Sequence, residues 1–578
     1  MNMRIAIRLA GVTGAIACAA GYFSLAQPQA AARAPASPAA QWADSVYHTL
    51  SPRQRLAQLI MIRAHSNLGA AHQASVERLV REEGVGGLCF FQGGPGRQIA
   101  LANRYQRAAA VPLLVSMDAE WGLDMRLDST VAFPRQLTLG AVRDNDLIYY
   151  TGAEIGRQLR AVGVQVNFAP VADINNNPAN PVIHTRSFGE NRYNVTAKAY
   201  HYALGLRSQG VLPCFKHFPG HGDTEVDSHI GLPLIPHSRA RLDSLELYPF
   251  RLLAEAPLSS MMVAHLQIPA LDSASGRPTT LSRPVVQGLL REELDFGGLI
   301  FTDAMEMGGV TGTRFPAGRA EAEALRAGND IILLPREAGR TLDTLQAWLQ
   351  SGSLEAADIE TKVRRLLRTK YELGLHRRPI RSPEGIYPRL HTGFSADLNE
   401  TLFQAAVTLV RDEGDVLPLR GRALTHLVLG RKTAPALTAE LEKNQKVHSL
   451  SGPLQPSAAQ RQALQSRMRP ETPLLVSLHN LSKSPAGRHG ITPSLVDWLK
   501  RLSARQPVVV LVFGTPYSLA QLDDLPTLVC GYEDRAIAHR ACGKALAGRT
   551  PFLGRLPVTA SSQARYGQGL SRPARPGQ

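Results

Sequence analysis

Residues 212–229 read LPCFKHFPGHGDTEVDSH and join an apolar run to a loop crowded with polar side chains. The first four residues show no alternation of apolar and polar side chains, as expected of a β-strand buried on both faces. Lys216 and His217 follow at once, and a proline and two glycines then prevent the chain from continuing as a helix. The stretch therefore predicts a buried strand that ends in a shaped loop.

Seven more apolar runs of this kind lie between about residues 41 and 375, and longer amphipathic stretches separate them. We predict strands over 59–62, 87–91, 112–117, 165–170, 212–215, 260–264, 299–301 and 330–334. Helical patterns such as 147–162 and 195–209 lie between neighbouring strands. Eight strand–helix units over this length predict a (β/α)8 TIM-type barrel at 41–375, so the fold class is α/β.

Side chains capable of chemistry follow five successive strands of this predicted barrel. They are Asp118, Asp173, Lys216 with His217, His265 and Asp303. Barrel enzymes build their sites at the carboxyl ends of the strands, where side chains from different strands converge. One such residue would carry little weight, because Asp and His are common after strands, but five in succession favour a site.

Asp227 and His229 lie two residues apart on the polar loop. A carboxylate bonded to one ring nitrogen fixes the imidazole tautomer and raises the basicity of the other nitrogen, so this pair suits general acid/base catalysis. Two other interpretations stay open. The histidines and acids of the loop are also good metal ligands, although no His-x-x-x-His spacing on a helix supports a metal site. Any single histidine here could also be structural.

Asp303 and the segment 118–126 supply the other candidate groups. A carboxylate at the end of a buried strand is costly unless it is paired or used, and the alternative role for Asp303 is to cap the following helix. Asp118, Trp121 and Arg126 combine an acid for vicinal hydroxyls, an aromatic face for C–H groups and a guanidinium for a planar acceptor. That combination is typical of sugar sites.

A second α/β pattern follows the barrel. Basic and proline-containing residues 376–397 predict a linker. Residues 398–562 predict a smaller α/β/α sandwich with an open, mostly parallel sheet, whose strands are expected at 425–429, 474–477, 508–513 and 527–531. Residues 563–578 are rich in Arg, Gly, Ser and Gln and predict a disordered tail.

The N-terminal residues predict export. Arg4 and Arg8 precede an apolar run that ends in Ser-Leu-Ala, the three-part form of a secretory signal peptide over 1–26. An Ala/Pro-rich stretch over 27–40 predicts a flexible tether. We expect the mature chain in the periplasm or outer envelope, with a lipid anchor on Cys18 as the alternative. No later run is long and apolar enough to span a membrane.

The chain carries 64 Lys and Arg against 48 Asp and Glu. This positive balance favours binding to anionic polymers such as acidic cell-wall glycans, or it reflects a generally Arg-rich surface. Nucleic acid is not a predicted partner, since no basic block interleaved with aromatics and no zinc-finger or helix-turn-helix pattern is present. The chain lacks the cysteine spacing of a disulfide scaffold or a zinc site at Cys89, Cys214, Cys530 and Cys542. A single disulfide between Cys530 and Cys542 remains an alternative.

The order Lys-His-Phe-Pro-Gly-His-Gly at 216–222, followed after four residues by Asp-Ser-His at 227–229, resembles the hallmark of glycoside hydrolase family 3 in its β-N-acetylhexosaminidase branch. The resemblance extends over about residues 42–560. Its further markers are NFAPVAD at 167–173, Arg-Ser-Phe at 186–188, AAVTLVRDEGDVLPL at 405–419 and Gly-Arg-Leu-Pro at 554–557. Ala119 and Trp121 stand where the family more usually has Gln and Gly, so the wall that contacts the sugar is expected to differ.

The resemblance implies that Asp303 is a nucleophile, which would attack the anomeric carbon and form a glycosyl-enzyme with retention of configuration. It implies that His229, paired with Asp227, protonates the leaving oxygen and then activates water, where most glycosidases use a second carboxylate. The implied sugar-binding residues are Asp118, Arg126, Arg186, Lys216 and His217. Such an acid/base would also tolerate phosphate as acceptor, so phosphorolysis is an implied side activity.

The expected activity is exo-acting removal of N-acetylglucosamine from an oligosaccharide, either a peptidoglycan fragment or a chitooligosaccharide, without cofactor or metal. A β-glucosidase or β-xylosidase of the same family is one alternative, although those enzymes lack the Asp-Ser-His loop and place the acid/base in the second domain. A non-catalytic glycan-binding protein of the envelope is another, but it would not need both His229 and Asp303. A metal-dependent barrel hydrolase is the third.

Overall fold

Eight parallel strands form the first sheet in the computed structural model, which describes residues 37–574 apart from 314, 420 and 422. The strands are β1 (Ile60–Ala64), β2 (Gly87–Phe90), β3 (Leu114–Met117), β4 (Val166–Asn167), β5 (Leu212–Phe218), β6 (Ser260–Val263), β7 (Leu299–Thr302) and β8 (Ile332–Leu333). Consecutive strands from β1 to β7 are neighbours, and β1 also pairs with β8. Because the Thr302 N–H donates to Ile331 O at 3.0 Å, β7 meets β8 and the sheet nearly closes into the predicted barrel.

Helices surround this barrel and connect its strands. They are α1 (Pro38–Thr49), α2 (Pro52–Gln58), α3 (Ala70–Arg78), α4 (Pro95–Ala108), α5 (Gln136–Gly140), α6 (Asn145–Ala161), α7 (Arg192–Ser208), α8 (Arg239–Ser244), α9 (Tyr248–Ala254), α10 (Gly308–Thr311), α11 (Arg319–Ala327), α12 (Ala338–Gln350) and α13 (Ala356–Glu372), with a π-helical segment at Pro284–Glu293. Helix α13 shows why they pack inward: Ile359, Val363 and Leu366 recur at helical spacing and are buried.

A second sheet of six strands follows the barrel. Its strands are β9 (Thr408–Asp412), β10 (Ala423–Leu429), β11 (Lys446–Gly452), β12 (Leu474–Leu478), β13 (Val508–Val512) and β14 (Thr527–Cys530), in the spatial order β11-β10-β12-β13-β14-β9. All pairs are parallel except β14 with β9. The accompanying helices are α14 (Ile386–Leu390), α15 (Gly393–Ala406), α16 (Pro435–Glu442), α17 (Ala458–Gln465), α18 (Pro493–Ser503) and α19 (Ala536–Leu546).

Alternate residues of β13 enter two different hydrophobic cores. Val508 and Val510 belong to one, and Val509 and Leu511 belong to the other, together with residues of α16 and α19. Because successive side chains of a strand point to opposite faces, this sheet is covered on both sides. The arrangement is the predicted smaller α/β domain behind a TIM-type barrel, which confirms the predicted fold class.

The second domain departs from its predicted outline in three ways. Strands β9 and β11 were not among the predicted strands, and the linker predicted over 376–397 contains α14 and the start of α15. The tail predicted to be disordered is ordered as far as residue 574, because the Leu570 N–H donates to Leu409 O at 2.7 Å and Arg572 pairs with Asp412 at 3.1 Å. A composition rich in Arg, Gly and Ser does not reveal such pairing with a distant strand.

The predicted tether is too long at its C-terminal end. Helix α1 begins at Pro38, because the Ser37 side chain accepts the Ala40 N–H and a proline suits the first turn of a helix. The predicted signal peptide at 1–26 and Cys18 lie outside the described residues. Cys530 and Cys542 are buried free thiols, as are the two barrel cysteines, so the Cys530–Cys542 bridge is not formed. Within residues 37–574, no described helix has the length and apolar character required to cross a membrane.

Candidate active site

A cavity of about 410 Å³ opens at the carboxyl ends of the barrel strands, where barrel enzymes hold their sites. The residues around it include Arg63, Cys89, Phe91, Asp118, Arg126, Phe168, Arg186, Lys216, His217, His221, His229, Met262, Asp303, Glu306 and Leu333. Seven of the eight predicted site residues belong to this lining. The eighth, Asp227, is hydrogen-bonded to His229.

Lys216 organises one wall of the cavity. Its side chain is 1% exposed, and its Nζ lies 2.8 Å from Asp118 Oδ1 and 2.8 Å from Glu120 Oε1. Arg126 holds the other oxygen of Asp118 at 2.6 Å. Burial raises the pKa of Asp118, but the Lys216 and Arg126 charges outweigh burial and hold that pKa well below its usual range. Asp118 is therefore ionised and fixed in place, which suits an acceptor of sugar hydroxyls.

Glu120 is a site residue that the sequence analysis missed. The Arg186 guanidinium grips its carboxylate with two bonds, at 2.7 Å to Oε1 and 3.1 Å to Oε2. Burial raises the pKa of Glu120, yet Arg186 and Lys216 lower it to about 2. Its two-residue spacing from Asp118 was the available signal, because such spacing puts two side chains on one side of an extended chain. Glu120 thus orients the Arg186 and Lys216 side chains.

Asp173 positions His217 from behind the cavity. Its Oδ2 lies 2.7 Å from His217 Nδ1, and its Oδ1 accepts the backbone N–H of His221 at 2.7 Å. Burial raises the pKa of Asp173, but the two histidines outweigh burial, so the pKa is lowered. The free edge of the His217 ring faces the cavity, with Nε2 lying 3.4 Å from Arg186 Nη2. Asp173 is fully buried and supports the site rather than lining it.

Asp303 lies directly after β7, and its backbone N–H donates to Val263 O at 2.9 Å. The Ala304 N–H donates to Asp303 Oδ1 at 2.8 Å, but the next helix begins only at Gly308, so Asp303 is not its N-cap. Burial raises the pKa of Asp303, whereas the nearby His217 and His265 rings and the Ala304 N–H lower it by more. The carboxylate is therefore ionised although partly buried. His265 holds the segment that follows Asp303 in place, because its Nε2 lies 3.0 Å from Ala304 O.

His229 lies on an exposed loop that lines the cavity. Its Nδ1 lies 2.7 Å from Asp227 Oδ1, and 61% of its side chain is exposed. The loop is docked on the segment that follows Asp303, because the Gly308 N–H donates to His229 O at 3.1 Å. Gly308 permits this approach: a Cβ there would lie 2.4 Å from Ile230 O. The backbone thus ties the predicted acid/base to the predicted nucleophile.

The second domain braces the rim that carries Arg186. The Glu190 N–H donates to Pro557 O at 3.1 Å, and the Glu190 carboxylate accepts the Thr559 N–H at 2.7 Å. On the same rim, Asn175 Nδ2 donates to the hydroxyl of Tyr517 at 2.9 Å. These contacts join residues that are remote in sequence, so no local pattern predicts this role of the second domain.

Two groups of described side chains bring three possible metal-ligand atoms within 4.8 Å of one another, and neither lines this cavity. They are His479 with Asp534 and His539, and Asp223 with His237 and Glu246. In the first group Asp534 Oδ1 lies 2.9 Å from His479 Nδ1, 2.8 Å from His539 Nε2 and 2.9 Å from Arg431 Nη1. Hydrogen bonds and a guanidinium already engage that oxygen, which accounts for the cluster as a structural network.

A model of the "Glycosyl hydrolase family 3 N terminal domain" matches residues 51–369, which is more than half of the chain. The chain belongs to glycoside hydrolase family 3. This confirms the family inferred from the Lys-His…Asp-Ser-His loop, and the matched region contains the whole barrel from β1 to β8 and every predicted site residue.

Named relatives of this family 3 chain include hexosaminidases. Beta-hexosaminidase A of Pseudoalteromonas piscicida is 33% identical over 390 residues, covering 61% of this chain and 64%, less than two thirds, of that protein. A Beta-N-acetylglucosaminidase/beta-glucosidase of Cellulomonas fimi is 26% identical over 511 residues, covering 83% of this chain and 90% of that protein. The solved structure of a family 3 beta-N-acetylglucosaminidase from Paenibacillus sp. str. FPU-7 is 30% identical, with a TM-score of 0.75 over 89% of this chain and 99% of that one.

One predicted feature of this family 3 site is not where we expected it. The Trp121 ring does not line the cavity, and the Arg135 guanidinium lies 4.0 Å from the centre of this ring. Phe91 and Phe168 supply the aromatic surface instead. The Phe91 ring is itself packed against other groups, because the Arg63 and Arg126 guanidiniums lie 4.4 and 4.6 Å from its centre and the His65 ring stacks on it at 5.4 Å.

Proposed function

We propose that this family 3 chain is a retaining, exo-acting β-N-acetylhexosaminidase. The observation that carries the proposal is that one cavity contains a single uncommitted acid, Asp303, beneath a carboxylate-paired histidine, His229. The names of the Pseudoalteromonas and Paenibacillus relatives support N-acetylhexosamine as the sugar that is released.

Asp303 is the candidate nucleophile because the neighbouring carboxylates are already held in ion pairs. Asp118 and Glu120 are bound by Lys216 and arginines, and Asp173 is bound by His217. Asp303 accepts one backbone N–H and has no ion pair among the described residues, so one of its oxygens can approach the anomeric carbon. Attack by this oxygen would form the C–O bond of a glycosyl-enzyme while the bond to the leaving oxygen breaks.

His229 is placed to manage the proton in both steps. Because Asp227 engages Nδ1, the other ring nitrogen, Nε2, is left for exchange with substrate. Nε2–H would pass its proton to the leaving oxygen, and in the second step Nε2 would take a proton from the water that attacks the anomeric carbon and releases Asp303. Its exposed position suits this role, since both aglycone and water enter from the open side.

The Lys216 wall would hold the terminal sugar. Asp118 can accept two sugar hydroxyls, and Lys216, Arg126 and Arg186 can donate to hydroxyl or acetamido oxygens. His217 would complete the wall through the ring edge that faces the cavity. A rigid set of buried charges that is already paired does not need to reorganise when the sugar binds.

We further propose that the chain acts outside the cytoplasm on peptidoglycan fragments or chitooligosaccharides. The secretory form of residues 1–26 and the excess of 64 basic over 48 acidic residues support this placement. A pull-down of the purified chain on chitin and on peptidoglycan, at low and high salt, tests whether either polymer is bound.

The substrate assignment predicts that p-nitrophenyl β-N-acetylglucosaminide is cleaved with a kcat/KM at least ~100-fold above that for the β-glucoside, because a site built to hydrogen-bond a substituent rejects the analogue that lacks it. Release of p-nitrophenol by the purified mature chain measures both values, with and without added phosphate. Comparable rates on the two glycosides would favour the broader activity in the name of the Cellulomonas relative.

The acid/base assignment predicts a leaving-group dependence. His229→Ala should lower kcat/KM for a natural disaccharide by about 10²–10⁴-fold, the usual contribution of general acid catalysis. It should affect a p-nitrophenyl substrate far less, because p-nitrophenolate departs without protonation.

His237→Ala is the matched control for His229→Ala. His237 follows on the same polypeptide stretch and pairs with Asp223 at 2.8 Å, but it does not line the cavity. The control should retain the rates of the unmodified enzyme on both substrates. An equal loss on both substrates in His229→Ala would contradict the proposed role.

A further inference from the structure

A second cavity, of about 310 Å³, lies between the barrel and the second domain and shares no lining residue with the catalytic cavity. Its floor is formed by residues that follow β12, β13 and β14, and Arg135, Leu137, Thr138 and Thr185 of the barrel close it. Open parallel sheets bind ligands outside the carboxyl ends of their strands, near the point where the chain reverses its direction across the sheet. The cavity lies at this edge of the sheet, next to the reversal point between β10 and β12, although no residue that follows β10 lines it.

One buried group in this cavity has no partner. Thr515 is 6% exposed and lines the cavity, and its Oγ1 makes no hydrogen bond to any described residue. A buried hydroxyl without a partner is costly, and such groups in native proteins are usually satisfied by something else. The position of Thr515 makes an atom inside the cavity the available partner.

The cavity lining also contains two cations that form no ion pair with a described residue. Neither the Arg135 guanidinium nor the Lys483 ammonium has an ion-pair partner among the described residues, and Arg135 rests on the Trp121 ring. The two acids of the lining already have partners, and Arg535, which also lines the cavity, lies 3.5 Å from Glu533. Glu533 accepts the Thr138 hydroxyl at 2.8 Å, and Asp534 is engaged by the two histidines and Arg431 of the network described above. An anionic group is therefore the complement of this surface.

The remaining surface is apolar and of limited size. Leu137, Leu481, Phe513 and Pro516 supply it. A volume of 310 Å³ is at the lower end of small-molecule sites and matches a single sugar ring better than an oligomer. Apolar faces beside a few hydroxyls and a cation pair suit a molecule with C–H faces, ring hydroxyls and one acidic group.

We propose that this interdomain cavity binds an acidic monosaccharide, meaning a sugar that carries a carboxylate or a phosphate. The acidic group lies between Arg135 and Lys483, a ring hydroxyl bonds to Thr515 Oγ1, and the C–H face packs on Leu481. The site is separate from the catalytic cavity, so the proposal stands whether or not the assigned glycosidase activity is correct.

Isothermal titration of the full chain tests the proposal, with glucuronic acid, glucose 6-phosphate, glucose and inorganic phosphate as probes. We expect saturable binding of glucuronic acid or glucose 6-phosphate, at least about tenfold tighter than binding of glucose or inorganic phosphate. The comparison of the two acidic sugars shows which acidic group the cavity takes.

Variants place the binding in this cavity. Lys483→Met and Thr515→Val should each weaken it by about tenfold or more, while Lys446→Met, at an exposed lysine of the same domain, should leave it unchanged. Three results would overturn the proposal: no saturation by either acidic sugar up to about 10 mM, binding of inorganic phosphate or glucose as tight as that of the acidic sugars, or unchanged binding in both Lys483→Met and Thr515→Val.

Discussion

Asp303→Asn is expected to lower kcat/KM on p-nitrophenyl β-N-acetylglucosaminide by at least ~10⁴-fold, the scale on which loss of a covalent nucleophile acts. The amide keeps the shape of the side chain and its bond from the Ala304 N–H, but it cannot form the glycosyl-enzyme. The variant should fold as the unmodified chain does, which circular dichroism and thermal unfolding would verify.

A matched control separates loss of a nucleophile from loss of charge. Glu306→Gln removes another carboxylate of the same cavity, which is paired with Arg63, and should retain most of the activity. Rescue by azide is the positive control. In Asp303→Ala, azide should restore turnover of the activated substrate by attacking the anomeric carbon directly, and the product should be the α-glycosyl azide. An active Asp303→Asn enzyme, or a β-configured azide product, would contradict the assignment.

Lys216→Met is expected to lower the free energy of unfolding by about 3–5 kcal/mol, the usual cost of removing one partner from a buried ion pair. Asp118 and Glu120 share this one ammonium at 2.8 Å each, so its loss removes two buried ion pairs and leaves Asp118 with Arg126 and Glu120 with Arg186. Urea unfolding near neutral pH measures the change.

The deficit in Lys216→Met should shrink under acid conditions. Asp118 and Glu120 have folded pKa values below those of the unfolded chain, so their contribution to stability is full above pH ~4 and is lost as the pH falls through the lowered values. Without Lys216 those pKa values rise, although Arg126 and Arg186 still lower them, so the carboxylates of the variant take up a proton at a higher pH than those of the unmodified chain. The stability of Lys216→Met should therefore approach that of the unmodified chain as the pH falls below about 4.

Lys370→Met is the control for burial of a lysine as such. Lys370 is fully buried, its Nζ donates to the neutral Gln58 Oε1 at 2.8 Å, and burial lowers its pKa to about 7. Its replacement breaks a hydrogen bond but no ion pair and should cost less than about 1.5 kcal/mol, the value of a hydrogen bond. Equal losses in the two variants would show that the carboxylates do not depend on Lys216.

The barrel could be predicted because its signal is local. Strands buried on both faces are uninterrupted apolar runs, and each such run lies within a few residues of an observed strand. The missed strands fail this test for physical reasons. Lys446–Gly452 is an edge strand with polar, partly exposed residues, and Thr408–Asp412 joins the sheet antiparallel at its other edge, held by residues near 528 and 570.

The predictable part of the site consists of residues that directly follow a strand or lie on the loop after β5. The sequence predicts Asp118, Lys216 and Asp303 as site residues because each follows an apolar run, and all three line the cavity. The partner of Glu120 and the displacement of Trp121 could not be foreseen, because Arg186 lies 66 residues from Glu120 and the Arg135 side chain covers the Trp121 ring. Long-range pairing of arginines leaves no spacing pattern in a sequence.

The brace between Glu190 and residues 557–559 has a consequence for the order of synthesis. A ribosome delivers β1 to β8 long before residue 557, so the barrel can close, with Asp303 and His229 in place, while the second domain is still being made. The rim that holds Arg186 must wait for Pro557 and Thr559. A polypeptide that stops before them therefore carries the residues for bond cleavage without the support behind its sugar-binding wall.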